Sequence, residues 1–467
     1  MRLFEIAIAI CLLTYIASIL SPSREPSPLI ELCPILVLVL VAFHVKEEGY
    51  RLQMFPAYFL SVACITYQLA PRFADIQNQY LLGVASLGLL AVAVVLSTVF
   101  PVFELPAPTG PNAVGTDVRY LVDAARRDPN DPGRERELMI QIWYPTAVPQ
   151  IGARAPYVDS RITDFLNARF GLVATHSYFQ APVSTAQDRY PVLLYAPSWD
   201  GMRTENTHQA EELASHGYIV VGIDHPHSSL ATVFPDGRVV RTELLDDDFF
   251  SSDAKFNAFA TLAEQEIRTR ADDVRFVLES LGNLGQQLSG RLNLDEIGIF
   301  GFSIGGGVAA QACWADRRLK ACINLDGMMA AESWEQGAVA PYLIVAEHDA
   351  PSPDEFPNAD STKRRELQAD WAQFVQMKKL LARDGGYWVT VQGSKHFNFS
   401  DYAFSSPLRR FNYAGAIDPR RAARIVSQFM IAFFDKYLKG VEEPLLDGAS
   451  QLPAEVRFER TKGGGNG

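Results

Sequence analysis

Runs of lysine or arginine are missing from this chain, and acidic residues outnumber basic ones 54 to 42, leaving a formal net charge of −12. A polyphosphate partner needs a basic face, so nucleic acid is excluded as a ligand. Cysteine is scarce: Cys11, Cys33, Cys64, Cys313 and Cys322 form no CxxC pair and no Cys/His pair with metal-ligand spacing. A disulfide framework, a zinc site and a bound cofactor are therefore not expected. Charge of either sign is sparse in the first hundred residues, eleven positions in all, and falls mostly in short links between apolar stretches.

Apolar residues make up 48% of the 467 positions, with 21% charged, and the mean hydropathy is +0.01. An ordinary soluble domain carrying a strongly apolar piece accounts for both figures. Four apolar stretches, at about 3–20, 28–45, 54–70 and 81–103, are separated by short polar links. Each has roughly the ~17–25 residues that cross a hydrocarbon core. A signal peptide supplies one such segment, not four. The expectation is a four-helix transmembrane region over 1–104, with the lipid bilayer as partner. Glu5 and Glu31, inside the first two stretches, are placed near helix ends or facing the bundle. Arg2, Lys46, Arg51, Arg119, Arg126 and Arg127 lie on one side of such a topology and Arg24 and Arg72 on the other, a margin of a few charges toward a cytoplasmic C-terminal domain.

Residues 105–116 form a Pro/Gly-rich linker, and 459–467 read as a flexible tail around a domain at 117–458. Within it, continuous apolar runs at 138–145, 191–197, 218–224, 297–303, 319–326, 342–349 and 387–393 have the pattern of strands buried on both faces. Helical segments at 204–216, 259–284, 304–315, 362–384 and 419–438 alternate with them. Such alternation predicts an α/β doubly wound, mostly parallel sheet, with its chemistry at the carboxyl ends of the strands.

One strand end carries Gly301-Phe302-Ser303-Ile304-Gly305, a G-x-S-x-G sequence between a strand and a helix. Small residues around a serine let the chain turn sharply and present the hydroxyl above the sheet. The following helix N-terminus aims N–H groups at a developing oxyanion. A serine hydroxyl needs an adjacent base. Of the eight histidines, His44 lies in an apolar stretch, His208 and His216 in a helix, and His225 and His227 in a loop held by hydrogen bonds. His176 precedes the serine, and His348 adjoins an acid. His396 directly follows the last strand, giving the chain order Ser…Asp…His of the α/β-hydrolase arrangement. Two aspartates, Asp326 and Asp349, end consecutive strands, and periodicity does not separate them as the third member. The loop Pro197-Ser198-Trp199-Asp200-Gly201 offers the Trp199 N–H as partner of the Ile304 N–H in an oxyanion hole.

The stretches IQIWYP, RTENTHQAEELASHGYIVVGIDH, IGIFGFSIGGG, LKACINLDGMM and GSKHFNFSDYAF, in this order over residues 138–405, resemble the platelet-activating factor acetylhydrolases. The resemblance implies an α/β-hydrolase fold and ester hydrolysis through a Ser–Asp–His triad, often on phospholipids with short or oxidised acyl chains. It places the nucleophile on Ser303, the acid on Asp326, the base on His396 and the oxyanion amides on Trp199 and Ile304. It is the sole ground for preferring Asp326 to Asp349. The chain departs from the family where Pro197-Ser198 replaces a His-Gly, where Ile304 replaces an aromatic residue, and in its apolar N-terminus. The expected activity is that of a membrane-anchored serine esterase on a small-molecule or lipid ester. A broader carboxylesterase of the dienelactone-hydrolase or polyester-hydrolase type is the alternative, and an inactive hydrolase-fold membrane sensor a third. Segment 156–186 has apolar residues at helical spacing that could cover the acyl pocket, lie in a membrane interface or pack in the core. The acidic, aromatic 247–260 is a lid candidate.

Overall fold

The computed structural model describes the chain except residues 22–26, 70–75, 148–153, 164–167, 243–247, 285–287, 289, 348–350, 449 and 464–467. The chain divides into two compact units: Met1–Glu104 with Pro156–Val173 and Ser405–Asn412, and Leu105–Ala155 with Ala174–Phe404 and Tyr413–Gly467.

The larger unit is built on one eleven-stranded sheet of order β13-β12-β11-β10-β9-β5-β6-β2-β1-β4-β3. Its strands are β1 (Ala113–Arg127), β2 (Glu135–Thr146), β3 (Arg154–Pro156), β4 (Ala174–Phe179), β5 (Tyr190–Ala196), β6 (Ile219–Asp224), β9 (Leu292–Phe302), β10 (Leu319–Leu325), β11 (Tyr342–Ala346), β12 (Gly386–Val391) and β13 (Val456–Thr461). The hairpin β7 (Ala231–Val233) and β8 (Val239–Arg241) stands apart from it. Pairing is parallel from β6 through β5, β9, β10 and β11 to β12, and antiparallel for β1–β2, β2–β6 and β12–β13.

Side chains alternate across a strand, and here both faces are dry. Val192 and Leu194 join one core with Ile267 and Val274 of the helix Asp253–Ser280 and Val308 of the helix Ile304–Ala315. Leu193 and Tyr195 join the opposite core with Leu213 of the helix Thr207–Ser215 and Phe429 and Phe433 of the helix Pro419–Leu438. Helices on both faces of a mostly parallel sheet make the α/β hydrolase architecture. Six strands lie outside the sequence expectation: β1, β3, β4, β7, β8 and β13. β1 begins inside the segment read as linker, and its charged positions Arg119, Asp123, Arg126 and Arg127 break the apolar pattern. β13 occupies the segment read as tail, where its alternating VRFERT suits a sheet edge.

A buried ionic knot ties sheet to helix. The carboxylate of Asp273 accepts from Arg136 Nε at 3.1 Å and Nη2 at 2.7 Å, from Arg126 Nη2 at 2.9 Å, and pairs with His225 Nδ1 at 2.9 Å. Burial works against its charge, but Arg136 and His225 hold its carboxyl far below the usual range. Burial pushes His225 down to about 4. Cys313 and Cys322, for which spacing offered no pairing, form a disulfide between the helix Ile304–Ala315 and β10.

In the smaller unit the four apolar stretches do not become four spans. They form helices Leu3–Ile19, Pro28–Glu31 followed by Cys33–Phe43, Phe55–Leu69 and Ile76–Val99, of 17, 4, 11, 15 and 24 residues. Pro28 and Pro34 start separate helices in the second stretch, and a π-turn at His44–Glu48 ends it. Among the described residues one helix, Gln79–Val99, is long and apolar enough to cross a membrane. Glu5 faces the bundle and pairs with the buried Arg51.

Of segment 156–186, residues 164–167 lie outside the described residues. Its described part forms two 3₁₀ turns, Ser160–Ile162 and Ala168–Leu172, and then β4. Its first part packs within the smaller unit, where Tyr157 meets Phe103 edge-on at 5.7 Å and Arg169 donates to Pro101 O at 3.2 Å and Ser405 O at 2.6 Å.

Removing one partner of a buried ion cluster leaves the other charges uncompensated. Asp273→Ala is expected to lower unfolding stability by about 3 kcal/mol or more, measured by urea denaturation of the purified protein.

Candidate active site

Three sequence-predicted residues follow the carboxyl ends of parallel strands of the sheet: Ser303 after β9, Asp326 after β10 and His396 after β12. Ser303 sits at φ 58° and ψ −127°, a conformation costly for a residue with a side chain. Its surroundings enforce it. A Cβ on Gly301 would lie 1.9 Å from Gly305 O, and one on Gly305 would lie 2.1 Å from Ala196 O. Helix and strands therefore close together only because both glycines lack side chains. Ser303 N donates to Leu325 O at 3.0 Å, and its carbonyl accepts from Gly306 N at 2.8 Å, fixing the turn from both sides.

Asp326 is held as firmly. Its N–H donates to Val345 O at 2.7 Å, its Oδ1 accepts from Glu347 N at 2.9 Å, and its φ is 53°. Oδ2 faces His396 Nδ1 at 2.7 Å. That bond orients the imidazole, whose ring packs against Phe302 at 4.7 Å between centroids. Burial alone would lower the His396 pKa, but the hydrogen bond and charge of Asp326, with Glu347 and Glu205 nearby, raise it above the ordinary value. Asp349 and His348 lie outside the described residues.

Ser303, Ile304, Trp199, Asp326 and His396 all line one cavity of about 480 Å³. Trp199 and Ile304 thus line the same cavity, Ile304 as the first residue of its helix, where backbone N–H groups have no intrahelical acceptor. Aromatic residues that strand and helix patterns did not single out form the walls: Phe249, Phe259, Phe374 and Trp388. Phe259 stacks on Trp199 at 5.8 Å and on Phe249 at 4.3 Å. Phe249 and Phe259 fall in the acidic, aromatic stretch read as a lid candidate, of which Asp246 and Asp247 are outside the described residues. A larger cavity of about 1100 Å³ shares Phe259, Met328, Asp370 and Gln373 with the first. No residue of 156–186 lines the smaller cavity among the described residues.

Among the described residues, the other histidines lie outside this cavity. His208 pairs with the buried Asp401, and His225 belongs to the Asp273 knot. One group among the described residues has metal-ligand proximity: Glu5, His44 and Glu48. Its donors are already engaged, Glu5 by Arg51 and by Arg2 N at 2.9 Å, His44 by Glu48 at 3.0 Å and Tyr58 at 2.8 Å. A metal would have to displace these bonds, so the group reads as an internal polar network.

Fold and site together define an α/β hydrolase with a serine at the strand–helix turn. The profile of the family described as platelet-activating factor acetylhydrolase, isoform II, matches residues 134–444, and the chain belongs to that family. A platelet-activating factor acetylhydrolase of Cavia porcellus is 24% identical over 370 residues, 73% of this chain and 80% of that one. A probable 1-alkyl-2-acetylglycerophosphocholine esterase of Arthroderma benhamiae is 23% identical over 413 residues, covering 79% and 97%. Among solved structures, a ferulic acid esterase from Streptomyces cinnamoneus matches with TM-score 0.60 and 29% identity over 77% of this chain and 99% of that one. The protein is a carboxylic ester hydrolase.

A methyl group at residue 305 has no space before the Ala196 carbonyl. Gly305→Ala is therefore expected to cost roughly 1–3 kcal/mol in stability and to reduce ester hydrolysis sharply, read by denaturation and by p-nitrophenyl acetate turnover on the same preparation.

Proposed function

We propose that the protein cleaves short-acyl or lipid-like esters by acyl transfer to Ser303, with His396 as base and acid and Asp326 as the carboxylate that orients it. The observation that carries this reading is the 2.7 Å Asp326–His396 hydrogen bond in the same cavity as the left-handed Ser303. Ser303 Oγ attacks the ester carbonyl carbon as His396 Nε2 takes its proton, and the carbonyl oxygen becomes an oxyanion. The Trp199 and Ile304 N–H groups stabilise that charge, aided by the helix N-terminus. Collapse expels the alcohol, which leaves with the proton from His396. Water then repeats the sequence on the acyl-enzyme and releases the acid.

For substrate class, the curated relatives favour 2-acetyl glycerophospholipids. The aromatic lining by Trp199, Phe249, Phe259, Phe374 and Trp388 favours a second reading, aryl esters of the kind named for the ferulic acid esterase. Comparing 2-acetyl phospholipid, long-chain phospholipid and methyl ferulate at equal concentration decides between them: the substrate with the highest kcat/KM identifies the class.

The N-terminal unit supports membrane attachment. It exposes Leu3, Leu29, Leu69 and Leu81, each more than 60% accessible, around the apolar helix Gln79–Val99. Membranes from expressing cells washed with alkaline carbonate are expected to retain the protein in the pellet; release into the supernatant refutes the attachment.

Ser303→Ala is expected to abolish turnover, and Asp326→Asn to lower kcat by roughly 10⁴-fold; a near-normal Asp326→Asn refutes its role. His396 acts as base only when neutral, and its pKa is raised. Activity should therefore fall as pH drops through a value above ~6.5, the ordinary histidine pKa. In Asp326→Asn the residual activity should have its acid limb at lower pH.

A further inference from the structure

The loop that carries Trp199 is held by two buried charged side chains that the triad chemistry does not use. Glu205 is 2% exposed and Arg270 1%. The Glu205 carboxylate accepts from Ser198 N at 2.9 Å and from Ser198 Oγ at 2.7 Å, directly before Trp199. From the helix Asp253–Ser280, Arg270 Nη1 donates to Pro197 O at 3.1 Å and to Ser198 O at 3.1 Å. The far end of the loop is also built around Glu205: a Cβ on Gly201 would lie 2.2 Å from Glu205 Oε2. Ser198 thus has its N–H, hydroxyl and carbonyl all engaged by these two side chains, which leaves the next peptide unit little freedom to rotate.

The same residue reaches the loop that carries the base. Glu205 O accepts from Asp401 N at 3.0 Å. The adjoining Asn206 donates from Nδ2 to Phe399 O at 2.7 Å and accepts at Oδ1 from Tyr195 OH at 2.7 Å. Asp401 Oδ2 in turn accepts from Thr207 N at 2.8 Å. Residues 205–207 therefore lie between the loop after β5, with Trp199, and the segment after β12, with His396.

We propose that Glu205 is a positioning residue for the oxyanion hole, fixing the Trp199 N–H through Ser198 against the opposing hold of Arg270. The assignment rests on the reading of Trp199 as an oxyanion donor. A purely structural role accounts for the residue poorly. Burial, only partly offset by the Ser198 hydrogen bonds, pushes the Glu205 carboxyl up to about 7. A folded-state value above the unfolded 4.5 means that stability is lost as pH rises from about 4.5 through about 7, where the buried carboxyl ionises. Where the loop meets a forming oxyanion, the same group has a use: removing one oxyanion donor costs roughly 10²–10³-fold in kcat.

The test uses Glu205→Ala, Glu205→Gln and Ser198→Ala in the full chain, with active sites counted by fluorophosphonate labelling so that misfolded molecules drop out. In Glu205→Ala, kcat per labelled site for p-nitrophenyl acetate should fall about 10²-fold while KM changes less than about threefold. The phosphonylation rate, which also builds charge on an oxygen in the hole, should fall in parallel. Glu205→Gln keeps an acceptor for Ser198 and should recover most of the loss. Should Glu205→Ala yield no folded protein, Ser198→Ala removes one of the two bonds and should lower per-site kcat about tenfold. A per-site kcat within about threefold of the parent in Glu205→Ala, or in Ser198→Ala when it is the only folded variant, overturns the proposal. So does a Glu205→Gln as impaired as Glu205→Ala. Loss of labelling in Ser303→Ala is the separate control: if that variant still labels and turns over, the nucleophile reading fails whatever Glu205 does.

Discussion

The closest approach in the molecule that matters is between the first turn of the helix Ile304–Ala315 and the strands beneath it. With no side chain at Gly301 or Gly305, the helix settles against the Ala196 carbonyl and its own strand. The residue between them has no choice but the left-handed region at φ 58°. From that one constraint follow the place of Ser303 and Ile304 on the cavity wall and the nearness of the loop after β5. The cost of the strained turn is met by the cores on both faces of the sheet, each anchored by side chains of the same strands.

Around the turn, parallel strands act as rulers. β9, β10 and β12 end on one edge of the sheet, so residues far apart in sequence arrive together: Asp326 and His396 are 70 positions apart and 2.7 Å in contact. The carboxylate is immobilised by the Glu347 N–H before it meets the imidazole. Both partners of the pair are thus held in place by hydrogen bonds. The rings of Trp199, Phe249 and Phe259 stack along one wall of the same space and offer flat apolar surfaces there.

The apolar N-terminus shows how composition and length diverge. Four stretches carry enough apolar residues to suggest spans, yet two prolines start separate helices of 4 and 11 residues in the second, and the third forms a helix of 15 residues. Hydropathy counts residues, whereas a bilayer measures the uninterrupted rise of a helix. Glu5 illustrates the same difference: in sequence it interrupts an apolar run, and in space it has Arg51 as its counter-charge.

What the sequence by itself determined was everything local. Continuous apolar runs marked the buried strands, G-x-S-x-G between strand and helix marked the sharp turn, and the position of His396 after a strand marked a candidate base. These are properties of a few consecutive residues, set by sterics and by burial on two faces. The choice between Asp326 and Asp349 was not local, and family resemblance alone tipped it. The contact of Asp326 with His396 is a tertiary fact, since it depends on which strands are neighbours and where each ends. The edge strand at Val456–Thr461, the knot around Asp273 and the hold of Glu205 and Arg270 on Ser198 were likewise hidden from the sequence. Each joins segments tens to hundreds of positions apart, and no periodicity records a partner that only folding brings near.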